Sequence, residues 1–406
     1  MTSRETYTYL DYAASAPLRV EALEAERAYD ASRIAGANPN SLHTLGREAA
    51  RALDGARRDL ARCLGGGIRP SDVVFTSGGT ESNNLAIMGL AEGARERDRH
   101  RKQVVISAIE HDSALDLAPL LRDRGFEVGI ARPNREGVVT PEELARLVGP
   151  QTALVSVMYA NNETGVVQPI QGLCKLAHDA GATFHTDAVQ AFGRIPLELV
   201  GVDSVSIAAH KIGGPVGVGA LVVRGRVPFR PQNFGGGQER GIRPGTQDVR
   251  GALAFAAAAC AACADLEGTR TLVAGRAEAL YRRLCADGTG IVPTTRATLG
   301  ADRLPGVVSV MVPGLDSETL VLGLDEAGFE VSAGSACSSG SLDPSHVLSA
   351  MGIARNDALG SLRISFDERV TPQDLDAFAT ALLDLVRTHL PHGRQAAGRS
   401  VTDRWE

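Results

Sequence analysis

The chain has 406 residues, with 42 Lys and Arg against 48 Asp and Glu and a formal net charge of −6. This balance excludes a strongly basic nucleic-acid-binding surface, and 44% hydrophobic with 22% charged residues excludes global disorder. The longest apolar run, at 252–264, is too short to span a bilayer, and Met1–Tyr7 lacks the apolar core of a signal peptide. We therefore expect a cytoplasmic protein with no membrane segment and no direct nucleic-acid partner.

Short runs rich in Val and Ile alternate with helical patterns over the first two-thirds of the chain. They predict strands at 72–76, 103–108, 127–131, 153–159, 183–186, 204–208 and 220–223. Most of these runs are continuously apolar, which is typical of strands covered on both faces. The pattern predicts an α/β fold with a mostly parallel seven-stranded sheet and helices on both faces. Thr140-Pro141 marks the start of one of those helices.

The pattern changes after an alanine-rich segment that predicts one helix at about 251–285. Beyond it, the sequence predicts strands at 307–312 and 361–366, a helix that starts at Asp343-Pro344 and a closing amphipathic helix at 372–390. We therefore expect a large domain over residues 1–261 and a smaller C-terminal α+β domain over residues 262–392. Residues 1–16 could pack on the small domain, and the polar residues 393–406 are expected to form a loose tail.

A lysine and an aspartate lie at the ends of two predicted strands. Lys211 follows the strand at 204–208 and precedes a glycine-rich turn, at the sheet edge where α/β proteins bind ligands. Desolvation there favours a neutral amine that can form a Schiff base, although an exposed loop position is the alternative. Asp187 ends the strand at 183–186 and either caps the next helix or faces a pyridine nitrogen, which would keep that ring protonated.

Three further motifs contain groups suited to cofactor chemistry. The segment Thr76-Ser-Gly-Gly-Thr-Glu-Ser82 follows a strand and opens a helix, where backbone N–H groups can bind an anion. His111 also follows a strand, and it is either structural or a group that stacks on a cofactor ring and moves protons. Arg363 interrupts the apolar alternation of a C-terminal strand and pairs with a carboxylate, either a structural one or that of a substrate.

The six cysteines are too sparse for a disulfide scaffold. Cys337 lies within Ser332-Ala-Gly-Ser-Ala-Cys-Ser-Ser-Gly-Ser341, a run of small residues typical of a mobile, solvated loop. A thiol in such a loop is suited to act as a nucleophile. The pair Cys260 and Cys263 has redox or metal spacing, but it lies in the alanine-rich helical segment without a second pair of ligands. We interpret that pair as structural and expect no metal site.

The order of these motifs resembles that of the cysteine desulfurases, which are pyridoxal 5'-phosphate (PLP) enzymes of the class-V aminotransferase group. The resemblance runs from about residue 7 to about residue 388. It rests on Tyr9–Pro17, Ser77–Ser82, Glu110-His111, Asn161-Asn162-Glu163, Asp187–Gln190, His210-Lys211, Arg243–Thr246, Gly334–Cys337 and Ser361–Arg363. It implies the fold type I architecture of PLP-dependent transferases. The long run of small residues around Cys337 resembles the branch with a mobile cysteine loop.

The resemblance also implies a role for each site residue. Lys211 would hold PLP covalently, Asp187 would face the pyridine nitrogen, and His111 would stack on the ring and act as acid and base. The other implied positions are Gln190 and Asn162 near the ring hydroxyl, with Asn162 also beside the substrate; Gly79, Thr80 and His210 at the phosphate; Thr246 at the phosphate of the other subunit in a homodimer; Arg363 at the substrate carboxylate; and Cys337 as the nucleophile.

The implied reaction converts L-cysteine to L-alanine, forms a persulfide on Cys337 and passes the sulfur to an acceptor protein, such as an iron–sulfur scaffold or a thiolation enzyme. A selenocysteine lyase is an alternative, and so is a non-catalytic scaffold of the same fold with poor cofactor affinity. The scaffold alternative rests on Ala208, where the family usually has a hydroxyl on the phosphate. Loss of one such hydrogen bond costs about 1.5–3 kcal/mol. An aminotransferase or a decarboxylase would have no use for Cys337.

Overall fold

The computed structural model describes residues 7–296, 302–334 and 344–390. In chain order, its strands are β1 (Thr8–Tyr9), β2 (Val73–Thr76), β3 (Gln103–Ser107), β4 (Glu127–Ala131), β5 (Thr152–Ser156), β6 (Thr183–Asp187), β7 (Ser204–Ala208), β8 (Gly219–Val223), β9 (Val292–Pro293), β10 (Val307–Met311), β11 (Phe329–Glu330), β12 (Ser332–Ala333) and β13 (Ser361–Ser365). Its α-helices are α1 (Val20–Asp30), α2 (Thr44–Leu64), α3 (Gly79–Arg97), α4 (Asp112–Leu115), α5 (Leu117–Asp123), α6 (Pro141–Leu147), α7 (Ile170–Asp179), α8 (Val249–Cys263), α9 (Leu266–Leu284), α10 (Ser317–Glu326), α11 (His346–Ala350), α12 (Arg355–Ala358) and α13 (Pro372–His389).

The large sheet has seven strands within the described residues, in the order β2-β8-β7-β6-β5-β3-β4. Strand β8 is antiparallel to both of its neighbours, and the pairs from β7 through β4 are all parallel. The predicted mostly parallel sheet is therefore confirmed. Strands β5, β7 and β8 are buried along their whole length, as expected where helices cover both faces of a sheet.

The two faces of this sheet pack against different helices, because successive side chains of a strand point to opposite sides. Phe75 in β2 belongs to a cluster with Leu60 of α2 and Phe255 of α8. Its neighbour Val74 belongs to a separate cluster with Leu90 of α3. The sheet is thereby fixed between two layers of helices, and the loops at the carboxyl ends of its strands are held in place.

A second sheet is antiparallel and has the strand order β12-β13-β10-β9. A third apolar cluster lies against it, with Val308 of β10 and Phe378 of α13 among its members. Leu10 from the N-terminal segment belongs to the same cluster, and β1 pairs in parallel with β11. The first described residues are thus held by the C-terminal part of the chain.

The structure corrects two sequence expectations. The helix predicted at 251–285 is two helices, α8 and α9, bent by 71° at the break, because Asp265 caps a new helix by accepting from the backbone N–H of Gly268. The predicted domain boundary after residue 261 lies near this bend and stays a prediction. The helix expected at Asp343-Pro344 begins instead at His346, where Ser345 is the N-cap; Asp343 lies outside the described residues.

The predicted start of α6 is confirmed, since Thr140 Oγ1 accepts a hydrogen bond from the backbone N–H of Glu143 and Pro141 is the first helical residue.

Among the described helices, none is by itself both long enough and apolar enough to cross a membrane. The pair α8 and α9 reaches that threshold only when counted together across its bend, by length and composition.

Candidate active site

A cavity of about 540 Å³ opens at the carboxyl ends of the parallel strands. The N-terminal segment and β13 also contribute residues to its wall. Nine of the predicted site residues line it: Gly79, Thr80, His111, Asn162, Asp187, Gln190, His210, Lys211 and Arg363. Thr246 is exposed and does not line this cavity. Cys337 lies outside the described residues. The sheet topology therefore gathers nearly all the chemical groups that the sequence motifs placed separately along the chain.

Lys211 lies in the turn after β7 with its side chain directed at the N-terminal segment. Its Nζ donates hydrogen bonds to the carbonyl oxygens of Ala13, at 2.7 Å, and Ala14, at 2.8 Å. Burial lowers the pKa of Lys211 to about 8, and the positive charges of Arg363 and Arg194 contribute in the same direction. A larger fraction of Lys211 is therefore neutral near neutral pH than of an ordinary lysine, and the neutral amine is the form that makes a Schiff base.

Asp187 ends β6 as a buried carboxylate. Its Oδ2 accepts a hydrogen bond from Asn83 Nδ2 at 2.6 Å, and its Oδ1 accepts one from the backbone N–H of Val189 at 2.8 Å. Burial raises the pKa of Asp187, and the hydrogen bonds that it accepts from Asn83 and Val189 oppose that rise. Asp187 thus holds the turn after β6 through the backbone N–H of Val189, and it also lines the cavity. A buried carboxylate there favours a cationic partner.

The start of α3 forms another wall of the cavity. Gly79 is its first residue, and a Cβ there would lie 2.9 Å from Val189 Cγ2, so only glycine fits without displacing that side chain. The first turn of a helix leaves backbone N–H groups without intrahelical partners, so the backbone of Gly79 and Thr80 is suited to bind an anion.

His210 also lines the cavity, as does Ala208. Burial and then the charge of Lys211 lower the pKa of His210 to about 4, so its imidazole is neutral near neutral pH.

Arg363 in β13 is fully buried, and it lines the cavity together with Lys211 and Asp187. Its Nη2 donates to Asp11 Oδ1 at 2.6 Å, and its Nη1 donates to the carbonyl oxygen of Asn162 at 3.0 Å. The structural carboxylate that the sequence left open is therefore Asp11, and the guanidinium still lines the cavity. Gln190 is held nearby, with its Nε2 donating to Ala13 O at 2.9 Å.

Sequence reasoning missed two buried carboxyl groups. Glu163 lines the cavity and accepts a 2.5 Å hydrogen bond from Ser345 Oγ, and burial raises its pKa to about 7. Glu110 Oε1 accepts from the backbone N–H of Met158 at 2.5 Å, and burial raises the pKa of Glu110 well above its usual range. Both acids lie inside motifs that were recognised, but nothing local distinguishes a buried carboxyl from an exposed one.

Comparison with known proteins agrees with this geometry. The family model of class-V aminotransferases matches residues 8–378. The chain is 37% identical over 392 residues to a cysteine desulfurase IscS of Dictyoglomus turgidum, covering 95% of this chain and 97% of that protein. It is 40% identical over 396 residues to a cysteine desulfurase of Cereibacter sphaeroides, covering 95% and 98%. A solved NifS-like protein superposes with a TM-score of 0.84 at 33% identity, covering 94% of this chain and 100% of that one.

The architecture is that of the fold type I PLP-dependent transferases. The chain belongs to the class-V aminotransferase family, in its cysteine desulfurase group, and enzymes of this family depend on PLP. The cavity fits that cofactor. It contains the Lys211 amine with its lowered pKa, the buried carboxylate of Asp187, and the first turn of α3, where Gly79 has no side chain to block the backbone N–H groups. Lys211, Asp187 and the first turn of α3 are the groups that would hold its aldehyde, its ring nitrogen and its phosphate.

Proposed function

We propose that this protein is a homodimeric cytoplasmic enzyme that converts L-cysteine to L-alanine and passes the sulfur through Cys337 to an acceptor protein. One observation carries the proposal: the amine of Lys211, the carboxylate of Asp187 and the guanidinium of Arg363 line one cavity of about 540 Å³. Each of these groups is suited to a different part of an amino-acid substrate or its cofactor, and the family relatives named above are cysteine desulfurases.

The cofactor-binding groups act in the following places. Lys211 would hold PLP through Nζ, and Asp187 would face its pyridine nitrogen. Gln190 and Asn162 would contact the ring hydroxyl, and Gly79, Thr80 and His210 would contact the phosphate, with Thr246 supplied by the second subunit. When bound, PLP withdraws electrons from the α-carbon of the substrate. A neutral His210 donates to a phosphate without the desolvation penalty of a buried charge.

The remaining groups handle the substrate. Arg363 binds the carboxylate of L-cysteine through its guanidinium, which can form two parallel hydrogen bonds. Lys211 Nζ takes the α-proton, which a group with a pKa of about 8 can accept near neutral pH. His111 would stack on the PLP ring and move the proton of the substrate thiol.

Cys337 supplies the sulfur-accepting nucleophile. Its thiolate attacks the substrate sulfur, the bond between that sulfur and the substrate β-carbon breaks, and the electron pair stays on the carbon, which takes up a proton to become the methyl group. Return of the α-proton from Lys211 Nζ to the α-carbon completes L-alanine. A persulfide is left on Cys337. The acceptor of this sulfur is another protein, such as an iron–sulfur scaffold or a thiolation enzyme. An aminotransferase or decarboxylase reaction would leave this thiol without a function.

The direct test is incubation of the PLP-loaded enzyme with L-cysteine, followed by intact-mass measurement and quantification of alanine. We expect one added sulfur on the protein and alanine in the product, and neither from a Cys337→Ser variant that still binds PLP. Alanine production that is unimpaired in Cys337→Ser would refute the role of this thiol. A parallel assay with L-selenocysteine tests the alternative, since activity on selenocysteine alone would identify a selenocysteine lyase. A protein that does not bind added PLP would be a non-catalytic scaffold.

A further inference from the structure

Two residues that line the cavity but have no role among the predicted site residues connect the Asp187 carboxylate to the His111 ring. Asn83 in α3 is buried, and its Nδ2 donates to Asp187 Oδ2 at 2.6 Å and to Ser113 Oγ at 2.9 Å. Ser113 Oγ in turn lies 3.0 Å from His111 Nδ1. The path of hydrogen bonds therefore runs from the carboxylate through one amide and one hydroxyl to the imidazole.

The orientation of the Asn83 amide follows from its neighbours. A reversed amide would place its oxygen 2.6 Å from a carboxylate oxygen of Asp187, where two acceptors repel each other. On the other side, His185 Nε2 lies 3.3 Å from Asn83 Oδ1. Burial lowers the pKa of His185 to about 3, so this ring is neutral, and its Nε2–H tautomer matches an amide oxygen at this position. Both Nδ2 hydrogens of Asn83 are thereby directed at Asp187 and Ser113.

The direction of the next hydrogen bond is then determined. Since Ser113 Oγ accepts from Asn83, its own hydrogen is available to donate to His111 Nδ1. The backbone N–H of Ser113 also donates to this nitrogen, at 3.1 Å, because His111 is the N-cap of α4. A nitrogen that accepts from two donors carries no hydrogen, so the proton of the neutral imidazole is on Nε2.

We propose that Ser113 and Asn83 are positioning residues that hold His111 as its Nε2–H tautomer and tie the ring orientation to Asp187. The inference deepens the proposed function, because it rests on His111 as the acid and base of the reaction. The tautomer decides which ring nitrogen can give or take a proton at the cavity. A ring free to change tautomer or to rotate would spend part of its time with the wrong nitrogen available.

The tautomer can be read without any turnover. Nitrogen-15 labelling of histidine and long-range proton–nitrogen correlation spectra distinguish the Nδ1–H and Nε2–H forms, and a His111→Gln variant assigns the signal. We expect a pure Nε2–H pattern for His111 in the PLP-loaded enzyme and recovery of it in Ser113→Thr, which keeps the hydroxyl. Ser113→Ala should give a mixed pattern, because only the weaker 3.1 Å hydrogen bond from the backbone N–H of residue 113 then holds Nδ1 as an acceptor. An Nδ1–H pattern in the unmodified enzyme, or an unchanged pattern in Ser113→Ala, would overturn the proposal.

Kinetics supply the second readout. General acid–base catalysis contributes about 10²–10⁴-fold, so partial loss of its geometry in Ser113→Ala should lower kcat for alanine about 10-fold with little change in KM. The same change made in a His111→Gln background should have no further effect, since Ser113 acts through that ring. An equal loss in both backgrounds contradicts the proposal. Ser32→Ala, at a turn after α1, is the matched control.

These readouts separate failure of the inference from failure of the proposed function. If the enzyme makes no alanine from L-cysteine, the reaction assignment is wrong, while the tautomer spectra still test the contacts around His111. If alanine is made and the spectra of Ser113→Ala are unchanged, the desulfurase assignment stands and the positioning role is rejected.

Discussion

Arg363 Nη2 lies 2.6 Å from Asp11 Oδ1, so the N-terminal segment and β13 meet in a partly buried ion pair at the wall of the cavity. The guanidinium is fully buried, and its other terminal nitrogen donates to the carbonyl oxygen of Asn162. This pair holds the fork of the arginine in one orientation before any substrate arrives, and Asp11 balances its charge. The N-terminal segment therefore forms part of the site, because Asp11 orients Arg363 and Ala13 and Ala14 line the cavity.

Replacing Arg363 by lysine tests the carboxylate-binding role. Lysine keeps the positive charge but loses the planar fork, so one charge-assisted hydrogen bond to the substrate is lost. At about 1.5–3 kcal/mol for such a bond, KM for L-cysteine should rise roughly 10- to 150-fold in Arg363→Lys. Steady-state alanine release measures this, with Arg387→Lys on the exposed face of α13 as the control. An unchanged KM would leave Arg363 with a structural role alone.

Glu163→Gln tests the burial of a carboxyl group in the cavity wall. Burial raises the pKa of Glu163 from 4.5 to about 7. Between these two values the folded protein retains a proton that the unfolded chain has released, so the stability provided by the protonated group is lost as the pH rises. The free energy of unfolding of the unmodified protein, relative to Glu163→Gln, should fall by about 3 kcal/mol across this window.

Thermal or denaturant unfolding at a series of pH values between 4 and 8 measures that difference. The amide of glutamine can still accept from Ser345 Oγ, so the variant keeps the hydrogen bond at the start of α11 and removes only the titration. Glu326→Gln, on the surface at the end of α10, is the control and should track the unmodified protein. A constant difference for Glu163→Gln across the series would mean that this carboxyl does not titrate in the window.

The pH dependence of cofactor capture tests Lys211. Only the neutral amine can add to an aldehyde, and burial lowers the pKa of Lys211 to about 8. The rate at which PLP attaches to the apoprotein should therefore rise with pH and level off above a midpoint near 8. Borohydride reduction and peptide mass spectrometry would locate the attached group. A midpoint near 10.5, the ordinary lysine value, or attachment at another residue such as Lys175, would contradict the assignment.

Ala208→Ser tests the departure from the usual family pattern. Ala208 is buried at the end of β7 and lines the cavity, so a serine there would place a hydroxyl beside the phosphate position. A hydrogen bond to a charged group contributes about 1.5–3 kcal/mol, and PLP should bind roughly 10- to 150-fold more tightly to this variant. Spectroscopic titration of the apoprotein measures the affinity, with Ala31→Ser at the end of α1 as the control. Equal affinity would show that another donor already occupies this position.

Much of the large sheet and most of the site could be predicted because their signals are local. Continuous apolar runs predicted the seven strands to within a few residues. The strand ends made Asp187 and Lys211 candidates for a ligand site, the resemblance implied that they share it, and the structure places both at one cavity. The break between α8 and α9 was not predicted, because the segments on both sides of the N-cap residue Asp265 have compositions that suit a helix. The cap itself outweighs the propensity of its neighbours.

The amino-acid order by itself determined the strands, the strand-end chemistry and the family, because neighbouring residues and short motifs carry those signals. Folding decided which polar groups are paired across the cavity. Asp11 meets Arg363 across 352 residues, Glu163 meets Ser345 across 182, and Asn83 meets Asp187 across 104. Such pairs have no period along the chain, and the burial that shifts the pKa values of Lys211 and Glu163 exists only once distant segments have packed together.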